Sequence, residues 1–448
     1  MKYMGSKRWM LNNGLGTILA KNTRNAKRFV DLFAGSGAVS SHVAKTQRIP
    51  VCAFDIQEFS SVLTGAVIHR NRPVLGNLIW GPWQKRAESI FNGKSWKWPD
   101  KITWHTVREC RDWSDAQNDL PVTKAYGGHY FSPQQSIWID AFRQTLPSTE
   151  PNRTVALAAL IEASGWCVAA PGHTAQPFRP TRTAKKFLQE AWAKDIVERI
   201  RSCLWSLAIR HAKMPGQASV GDANEAATRL RVGDLVFIDP PYSGVQYSRF
   251  YHVLETIARG GCGEVSGVGR YPSIADRPTS KYSRVSESRE ALKSLLETVA
   301  LSGAVAILTF PDHICSNGLS GEIIRVIAKE RFKVNEKIVE SKFSTLGGTD
   351  RFSKTGIKRA PRQNANELWV IAGGESGPHA RPTSRRTSLR TSTGPRRGLR
   401  CAGWDSEDND ERHATPARGR DDRATAVGPV PVQTDRPRWE APSLPVLR

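Results

Sequence analysis

Short apolar runs that read as β-strands alternate with helical patterns over most of the first 374 residues. The strand-like runs are 27–33 (KRFVDLF), 50–55 (PVCAFD), 217–221 (QASVG), 234–239 (DLVFID), 304–310 (AVAILTF) and 367–373 (ELWVIAG). A helix is predicted from Ala38, and another over about 57–69. This alternation predicts an α/β fold of the Rossmann-like kind, a largely parallel sheet with helices on both faces. Ligands bind such a sheet at the carboxyl ends of its strands, where the segments DLFAGSG and FIDPPY both fall.

A long segment of different character separates the second strand-like run from the third. Ten of the 14 tryptophans lie between Trp80 and Trp205, and we interpret most of them as core residues of a helical subdomain. One amphipathic helix is predicted over 187–212, with apolar residues at every fourth position from Leu188 to Leu204. The predicted organisation is a catalytic domain formed by 1–75 and 215–374, a mainly helical inserted domain at 76–214, and a disordered basic tail at 375–448.

The charge of the chain favours a polyanionic partner. The net charge is +23, and the Arg-rich tail from Glu375 contributes only +4 of it, so most of the excess lies in the part predicted to fold. Seven scattered cysteines without Cys-x-x-Cys spacing argue against a disulfide framework and against a metal site of the zinc type. No run is long and apolar enough for a membrane span, and the N-terminus lacks a signal-peptide core, so we expect a cytoplasmic protein without a membrane partner.

The turn after the first strand-like run contains Gly35 and Gly37, which let the backbone approach a ligand closely. Asp55 ends the next strand about 20 residues later, where a carboxylate accepts hydrogen bonds from ribose hydroxyls. The third glycine of a dinucleotide fingerprint is replaced by Ser40. These features indicate a nucleoside cofactor, and by themselves they leave NAD and S-adenosylmethionine both open.

The sequence Asp239-Pro240-Pro241-Tyr242 directly follows a buried strand and decides between the two cofactors. An exocyclic amine on a base is a poor nucleophile because its lone pair is delocalised into the ring. The Asp239 carboxylate and the Pro240 carbonyl can accept hydrogen bonds from its protons, and Tyr242 offers a face on which a flipped base stacks. This arrangement predicts amine methylation with S-adenosylmethionine as the donor, driven by positioning and electrostatics.

Three segments of the chain resemble the D12 class of adenine-specific DNA methyltransferases, the class of the Dam enzymes: KYMGSKRWML, DLFAGSG and IDPPYSGVQYSRFYH. The resemblance implies a site-specific, S-adenosylmethionine-dependent enzyme that methylates the N6 amine of a flipped adenine in double-stranded DNA. It also implies site residues. The residues implied for cofactor binding are Tyr3, Lys7, Asp31, Phe33, Gly35, Gly37, Asp55 and Asp222. Those implied for base binding and catalysis are Asp239, Pro240, Pro241 and Tyr242. Lys7 is also expected to contact the DNA. In this class the insert carries the target-recognition residues.

We call the run from Asp239 to Tyr242 the clamp, because it would hold the target base. Beyond the clamp, Tyr247 and Arg249 are candidates for binding the flipped base and its phosphate. They open a predicted helix that runs to about Arg259, in which Tyr251 and His252 are assigned mainly to packing. Three basic loops, 169–186, 270–284 and 344–364, are further candidates for contacts to DNA.

Several alternatives stay open at this point. The substrate amine could belong to RNA adenine or to N4 of cytosine, although cytosine enzymes more often carry a serine-initiated clamp. The chain could also be a binding module that holds S-adenosylmethionine without turnover. A cognate restriction endonuclease would fit a bacterial or phage-encoded modification enzyme, and the sequence does not test for one.

Overall fold

The computed structural model describes residues 7–94, 101–344 and 362–372. The predictions for Tyr3, for positions 345–361 of the third basic loop and for the tail at 375–448 lie outside these described residues. No helix within the described ranges is long and apolar enough to cross a membrane.

The core of the fold is a sheet of seven strands in the order β3-β2-β1-β4-β7-β9-β8. The strands of the structure, including a small separate hairpin β5–β6, are β1 (Arg28–Asp31), β2 (Val51–Asp55), β3 (Gln217–Val220), β4 (Asp234–Ile238), β5 (Val265–Ser266), β6 (Tyr271–Pro272), β7 (Val305–Pro311), β8 (Val334–Ser344) and β9 (Arg362–Ala372). The pairs from β3 to β7 are parallel, and β9 is antiparallel to both β7 and β8. All six predicted strands are present. The prediction missed β8, an edge strand that pairs with β9, because its sequence from Val334 mixes polar and apolar residues without a continuous apolar run.

The helices of the structure are α1 (Arg8–Met10), α2 (Gly16–Thr23), α3 (Ala38–Thr46), α4 (Glu58–Ile68), α5 (Gly76–Asn92), α6 (Trp104–Asp115), α7 (Pro121–Tyr126), α8 (Pro133–Gln144), α9 (Asn152–Cys167), α10 (Lys185–Trp192), α11 (Ile196–Ala208), α12 (Ala223–Ala227), α13 (Ser248–Arg259), α14 (Ser288–Leu301) and α15 (Gly321–Lys329). The prediction of a single helix over 187–212 is wrong, because the helical conformation is interrupted between α10 and α11. Asp195 caps α11 by accepting a hydrogen bond from the Glu198 backbone N–H, which stabilises a new helix start.

Apolar residues alternate between the two faces of the central strands. In β4, Leu235 and Phe237 pack in the core layer that contains helices α2 and α3, whereas Val236 and Ile238 pack in the layer that contains α12, α14 and α15. Since successive side chains of a strand point to opposite faces, a strand that is apolar throughout must be covered on both. The structure is therefore a three-layer α/β arrangement, as predicted.

The segment 76–214 is helical wherever the structure describes regular elements in it. Its core is continuous with the apolar faces of α4 and α13, because Trp83 and Phe142 belong to the same hydrophobic cluster as Phe59 and Leu254. The segment therefore packs onto the sheet domain through shared side chains, and its proposed boundaries as a domain remain a prediction. Trp80, Trp83 and Trp192 are buried as expected, while Trp104, Trp166 and Trp205 are exposed.

Candidate active site

A single cleft at the carboxyl ends of β1, β2, β3 and β4 collects most of the predicted site residues. Its walls include Lys7, Asp31, Phe33, Gly35, Asp55, Asp222, Tyr247 and the whole run from Asp239 to Tyr242. Gly37 lies beside the cleft, in a neighbouring groove, and Arg249 lines neither. The parallel order of the strands brings these distant segments together.

The glycine turn after β1 adopts a conformation that other residues resist. Gly35 and Gly37 have φ values of 52° and 70°, and a Cβ on Gly37 would lie 2.5 Å from the Thr64 hydroxyl oxygen. The Gly35 N–H donates a 2.8 Å hydrogen bond to Oδ2 of Asp55. The turn is thus fixed against the end of β2, with its backbone facing the cleft.

Two buried carboxylates flank this turn. Asp31 accepts a 2.6 Å hydrogen bond from Ser40, so the serine that replaces the third fingerprint glycine orients a cleft carboxylate. Burial raises the pKa of Asp31 to about 7. Asp55 also accepts from the Gln57 N–H, and burial raises its pKa to about 6. Both groups lie where a ligand cation or donor would favour the ionised form of the carboxylate.

Asp222, the next predicted cofactor residue, follows β3 and caps α12. Its Oδ1 accepts hydrogen bonds from the backbone N–H groups of Asn224 and Glu225 at 2.8 and 3.3 Å. The cap fixes the orientation of the carboxylate at the wall of the cleft.

Asp239 belongs to a buried cluster of charges. Lys7 Nζ lies 3.0 Å from Asp239 Oδ1 and 2.9 Å from Glu367 Oε1, and it is only 5% exposed. The Thr309 hydroxyl donates to the same Oδ1 at 3.1 Å. Within the described part of the chain, no hydrogen bond or ion pair reaches Asp239 Oδ2. One oxygen of the carboxylate is therefore held in place and the other stays available.

Opposing effects set the protonation of this cluster. Burial raises the pKa of Asp239 to about 6, Lys7 opposes that rise and Glu367 adds to it. Burial lowers the pKa of Lys7, but the Asp239 and Glu367 carboxylates outweigh it and raise that pKa well above its ordinary value. Lys7 therefore stays charged, and Asp239 is ionised at neutral pH.

The turn that follows Asp239 is braced from β7 and its loop. The Asn317 side chain donates a 2.8 Å hydrogen bond to the Pro241 carbonyl. The Tyr242 ring meets the rings of Tyr247 and Phe310 edge to face, with centroids 6.4 Å apart in both cases. No donor among the described residues reaches the Pro240 carbonyl. A planar group that enters beside Tyr242 would therefore meet two free acceptors, Asp239 Oδ2 and the Pro240 oxygen.

Helix α13 starts beside the clamp and contacts the start of α4 at the opposite side of the cleft. Tyr251 and His252 are buried, which confirms their assignment to packing, and burial lowers the pKa of His252 to about 4. The Glu255 carboxylate accepts hydrogen bonds from the N–H groups of Glu58 and Phe59 at the start of α4. Glu255 therefore connects the helix after the clamp to the turn that carries Asp55.

Sequence reasoning missed several residues of this site, namely Gln57, Glu255, Tyr282, Thr309, Asn317 and Glu367. Gln57 lines the cleft, is 2% exposed, and its Nε2 has no hydrogen-bond partner within the described residues. Tyr282, from the second basic loop, meets the Phe33 ring edge to face at 5.0 Å and donates to Asn224. A signal existed for Glu367, since it is a carboxylate at the start of the apolar run 367–373.

The mostly parallel sheet and the cleft at its carboxyl edge are consistent with the fold of methyltransferases. Residues 3–92 and 185–302, together just under half of the chain, match the sequence model of the D12 class N6 adenine-specific DNA methyltransferases. The resemblance read from the three motifs is thereby confirmed. The unmatched interval between the two segments falls inside the helical insert.

Curated relatives are modification methylases. The chain is 26% identical over 312 residues to the modification methylase StsI of Streptococcus sanguinis, which covers 67% of this chain and 42% of that protein. It is 26% identical over 313 residues to the type II methyltransferase M.FokI of Planomicrobium okeanokoites, covering 66% of this chain and 42% of the relative. The match to M.NlaIII of Neisseria lactamica is 27% over 277 residues, 58% of this chain and 69% of that protein. The chain thus spans about two fifths of the length of the first two relatives.

Proposed function

We propose that the protein transfers a methyl group from S-adenosylmethionine to the N6 amine of an adenine at a specific site in double-stranded DNA. The proposal rests on two acceptors beside the Tyr242 ring, Asp239 Oδ2 and the Pro240 carbonyl. Neither accepts a hydrogen bond from the residues that the structure describes. The match to the D12 class and the names of the relatives support the choice of adenine and DNA.

The cleft residues fit the proposed cofactor. S-adenosylmethionine supplies a methyl group activated on a sulfonium. The buried Asp31 carboxylate is suited to its ammonium group, and Asp55 to its ribose hydroxyls. Within the described residues, the buried Nε2 of Gln57 has no hydrogen-bond partner. A bound nucleoside would provide the missing acceptor. Asp222, fixed by its helix cap, can accept a hydrogen bond from an adenine amino group.

The clamp activates the target amine through hydrogen bonds. Asp239 Oδ2 and the Pro240 oxygen accept the two N6 protons, which localises the nitrogen lone pair toward the incoming methyl carbon. As the N–C bond forms, the S–C bond breaks and the sulfonium becomes a thioether. The methylated nitrogen then loses a proton to solvent. Lys7 and Thr309 hold Oδ1 throughout, so the carboxylate cannot rotate away from the amine.

Reaching the clamp requires the adenine to leave the DNA stack. The Tyr242 ring then provides a stacking face, which is worth about 1–3 kcal/mol per base at other aromatic platforms. Tyr247, in edge contact with Tyr242, would border the same base.

The relatives that are named modification methylases support a restriction–modification setting for this protein. In that setting a cognate endonuclease acts at the same site, and the protein works in the cytoplasm of the bacterial or phage-infected cell with the DNA. The insert at 76–214 would supply the residues that read the sequence.

The test offers S-adenosylmethionine with a labelled methyl group to unmethylated genomic DNA and, in a separate reaction, to RNA, followed by digestion to nucleosides. Label in N6-methyladenine supports the proposal, and label in N4-methylcytosine or only in RNA contradicts the base or the substrate. Asp239→Ala should lower methyl transfer about a hundredfold or more while cofactor affinity is kept. Glu330→Gln, which alters an exposed carboxylate at the end of α15, serves as the control. A protein that binds the cofactor and labels no nucleic acid would be a non-catalytic binding module.

A further inference from the structure

Two arginines lie against one aromatic ring next to the start of α13. The guanidinium carbon of Arg249 is 4.8 Å from the centroid of the Tyr271 ring, and that of Arg277 is 5.5 Å from the same centroid. Both distances are in the range of cation–π contacts. Arg249 comes from α13, and Tyr271 and Arg277 come from the loop 270–284.

This pair of positive charges has no carboxylate partner within the described residues. Among the described residues, the Arg277 guanidinium donates a single long hydrogen bond, 3.4 Å, to the Ser273 carbonyl. Asp276, the acidic residue next to it, is hydrogen-bonded to the Ser273 hydroxyl. Burial and the nearby charge of Arg249 both lower the pKa of Arg277. Two positive charges that are held close together without a neighbouring anion favour the binding of an anion.

The ring beneath the arginines is fixed from three sides. The Tyr271 hydroxyl donates to the carbonyl of Ala175 in the insert. The buried His252 ring lies 4.9 Å from the Tyr271 ring, and its Nε2 is 2.9 Å from the Gly269 carbonyl at the base of the loop. Tyr130 of the insert donates to that same carbonyl. The platform is therefore built jointly by the insert, the hairpin loop and α13, unlike a pair of mobile surface arginines.

The platform lies close to the base clamp along a short chain of contacts. The Tyr242 ring touches Tyr247, and Arg249 follows Tyr247 by two residues on the first turn of α13. A nucleotide whose base occupies the clamp has its own phosphates a few ångströms from the base. The backbone of the flipped nucleotide would therefore pass near the two guanidinium groups.

We propose that Arg249 and Arg277, stacked on Tyr271, together bind one DNA backbone phosphate beside the flipped nucleotide. Planar guanidinium groups match phosphate oxygens in a bidentate manner, and the ring fixes their planes in advance. This inference rests on the proposed function and adds Arg277 and Tyr271 to the single DNA contact expected at Arg249.

The experiment measures the affinity of the full-length protein for a fluorescent 30-base-pair duplex over a series of salt concentrations. Loss of one phosphate contact should lower the slope of log K against log salt by about 0.9, equivalent to about eightfold weaker binding at 0.1 M salt. We expect this change for Arg277→Ala and for Arg249→Ala. Because both arginines hold the same phosphate, the double variant should lose little more than either single one.

The control is Arg48→Ala, which removes an exposed arginine without an ion pair from the turn between α3 and β2, at the sheet edge opposite the cleft. Thermal melting checks that each variant is folded. A salt slope of Arg277→Ala equal to that of the unaltered protein would overturn the proposal, as would a loss seen only with an RNA duplex of the same sequence. Methylation by the unaltered protein is measured separately, so a failed phosphate site and a failed enzyme assignment are distinguishable.

Discussion

The contact between Lys7 and two carboxylates leads to a prediction about pH dependence. Asp239 must be ionised to activate the amine, so methyl transfer should fall as the pH falls through its pKa, which is about 6. The negative charge of Glu367 raises that pKa because it disfavours a second negative charge nearby. Glu367→Gln removes this charge, keeps the shape of the side chain and leaves Lys7 paired with Asp239. The substitution should therefore lower the pKa of Asp239.

The size of the shift follows from the geometry. Both carboxylates contact the same Nζ, at 3.0 and 2.9 Å, so their nearest oxygens are at most about 6 Å apart. At an effective dielectric constant of about 20, two charges at that separation repel by about 3 kcal/mol, which corresponds to about two pKa units. We expect the acid limb to move down by one to two pH units.

The assay is kcat/KM for the DNA at saturating cofactor between pH 5 and 8, since this parameter reports ionisations of the enzyme before the DNA binds, when the proposed cofactor already covers Asp31 and Asp55. The unaltered protein should lose about tenfold in rate for each pH unit below about 6, while Glu367→Gln should stay nearly constant down to about pH 5. Glu330→Gln, an exposed change at the end of α15, is the matched control. An acid limb that stays in place or moves upward in Glu367→Gln would refute the electrostatic argument.

Three further predictions concern the cofactor side and the core. Gln57→Met keeps the volume but removes the buried amide donor, and should weaken S-adenosylmethionine binding about three- to tenfold in calorimetry, the range of one hydrogen bond; unchanged affinity would contradict it. Gly37→Ala places a Cβ 2.5 Å from Thr64 at a positive φ, so it should lower both cofactor affinity and the melting temperature. Trp83→Ala should lower the free energy of unfolding in urea by about 3–5 kcal/mol, because the indole is fully buried and donates to the Phe142 carbonyl.

Much of the fold was predictable because its signals are local. A strand such as β4 is apolar from Leu235 to Ile238, and Asp239 and two prolines follow directly after it. The edge strand β8 was not predictable in this way, since it lacks a continuous apolar run and its strand conformation depends on pairing with β9. The break between α10 and α11 was missed because the apolar spacing continues across it, while a single N-capping aspartate, Asp195, starts a new helix.

The residues of the candidate site also differ in whether the sequence alone could place them. Gly35, Asp55 and Asp239 could be placed around one cleft from their positions at strand ends. Glu367 could not be placed, because its partner Lys7 lies 360 residues away in sequence and only the antiparallel insertion of β9 beside β7 brings them together. The roles of all these residues in binding and catalysis stay predictions for the experiments above.

The hydrophobic cluster shared by the insert, α4 and α13 limits how this protein can be re-engineered. Excising 76–214 would expose apolar side chains such as Phe59 and Leu254 on the remaining sheet domain, and the isolated insert would lose their cover. A graft of the insert into a related protein would therefore need matching surfaces on both receiving helices. If the insert reads the DNA sequence as proposed, a changed preference is more readily sought through its exposed residues than through exchange of the whole segment.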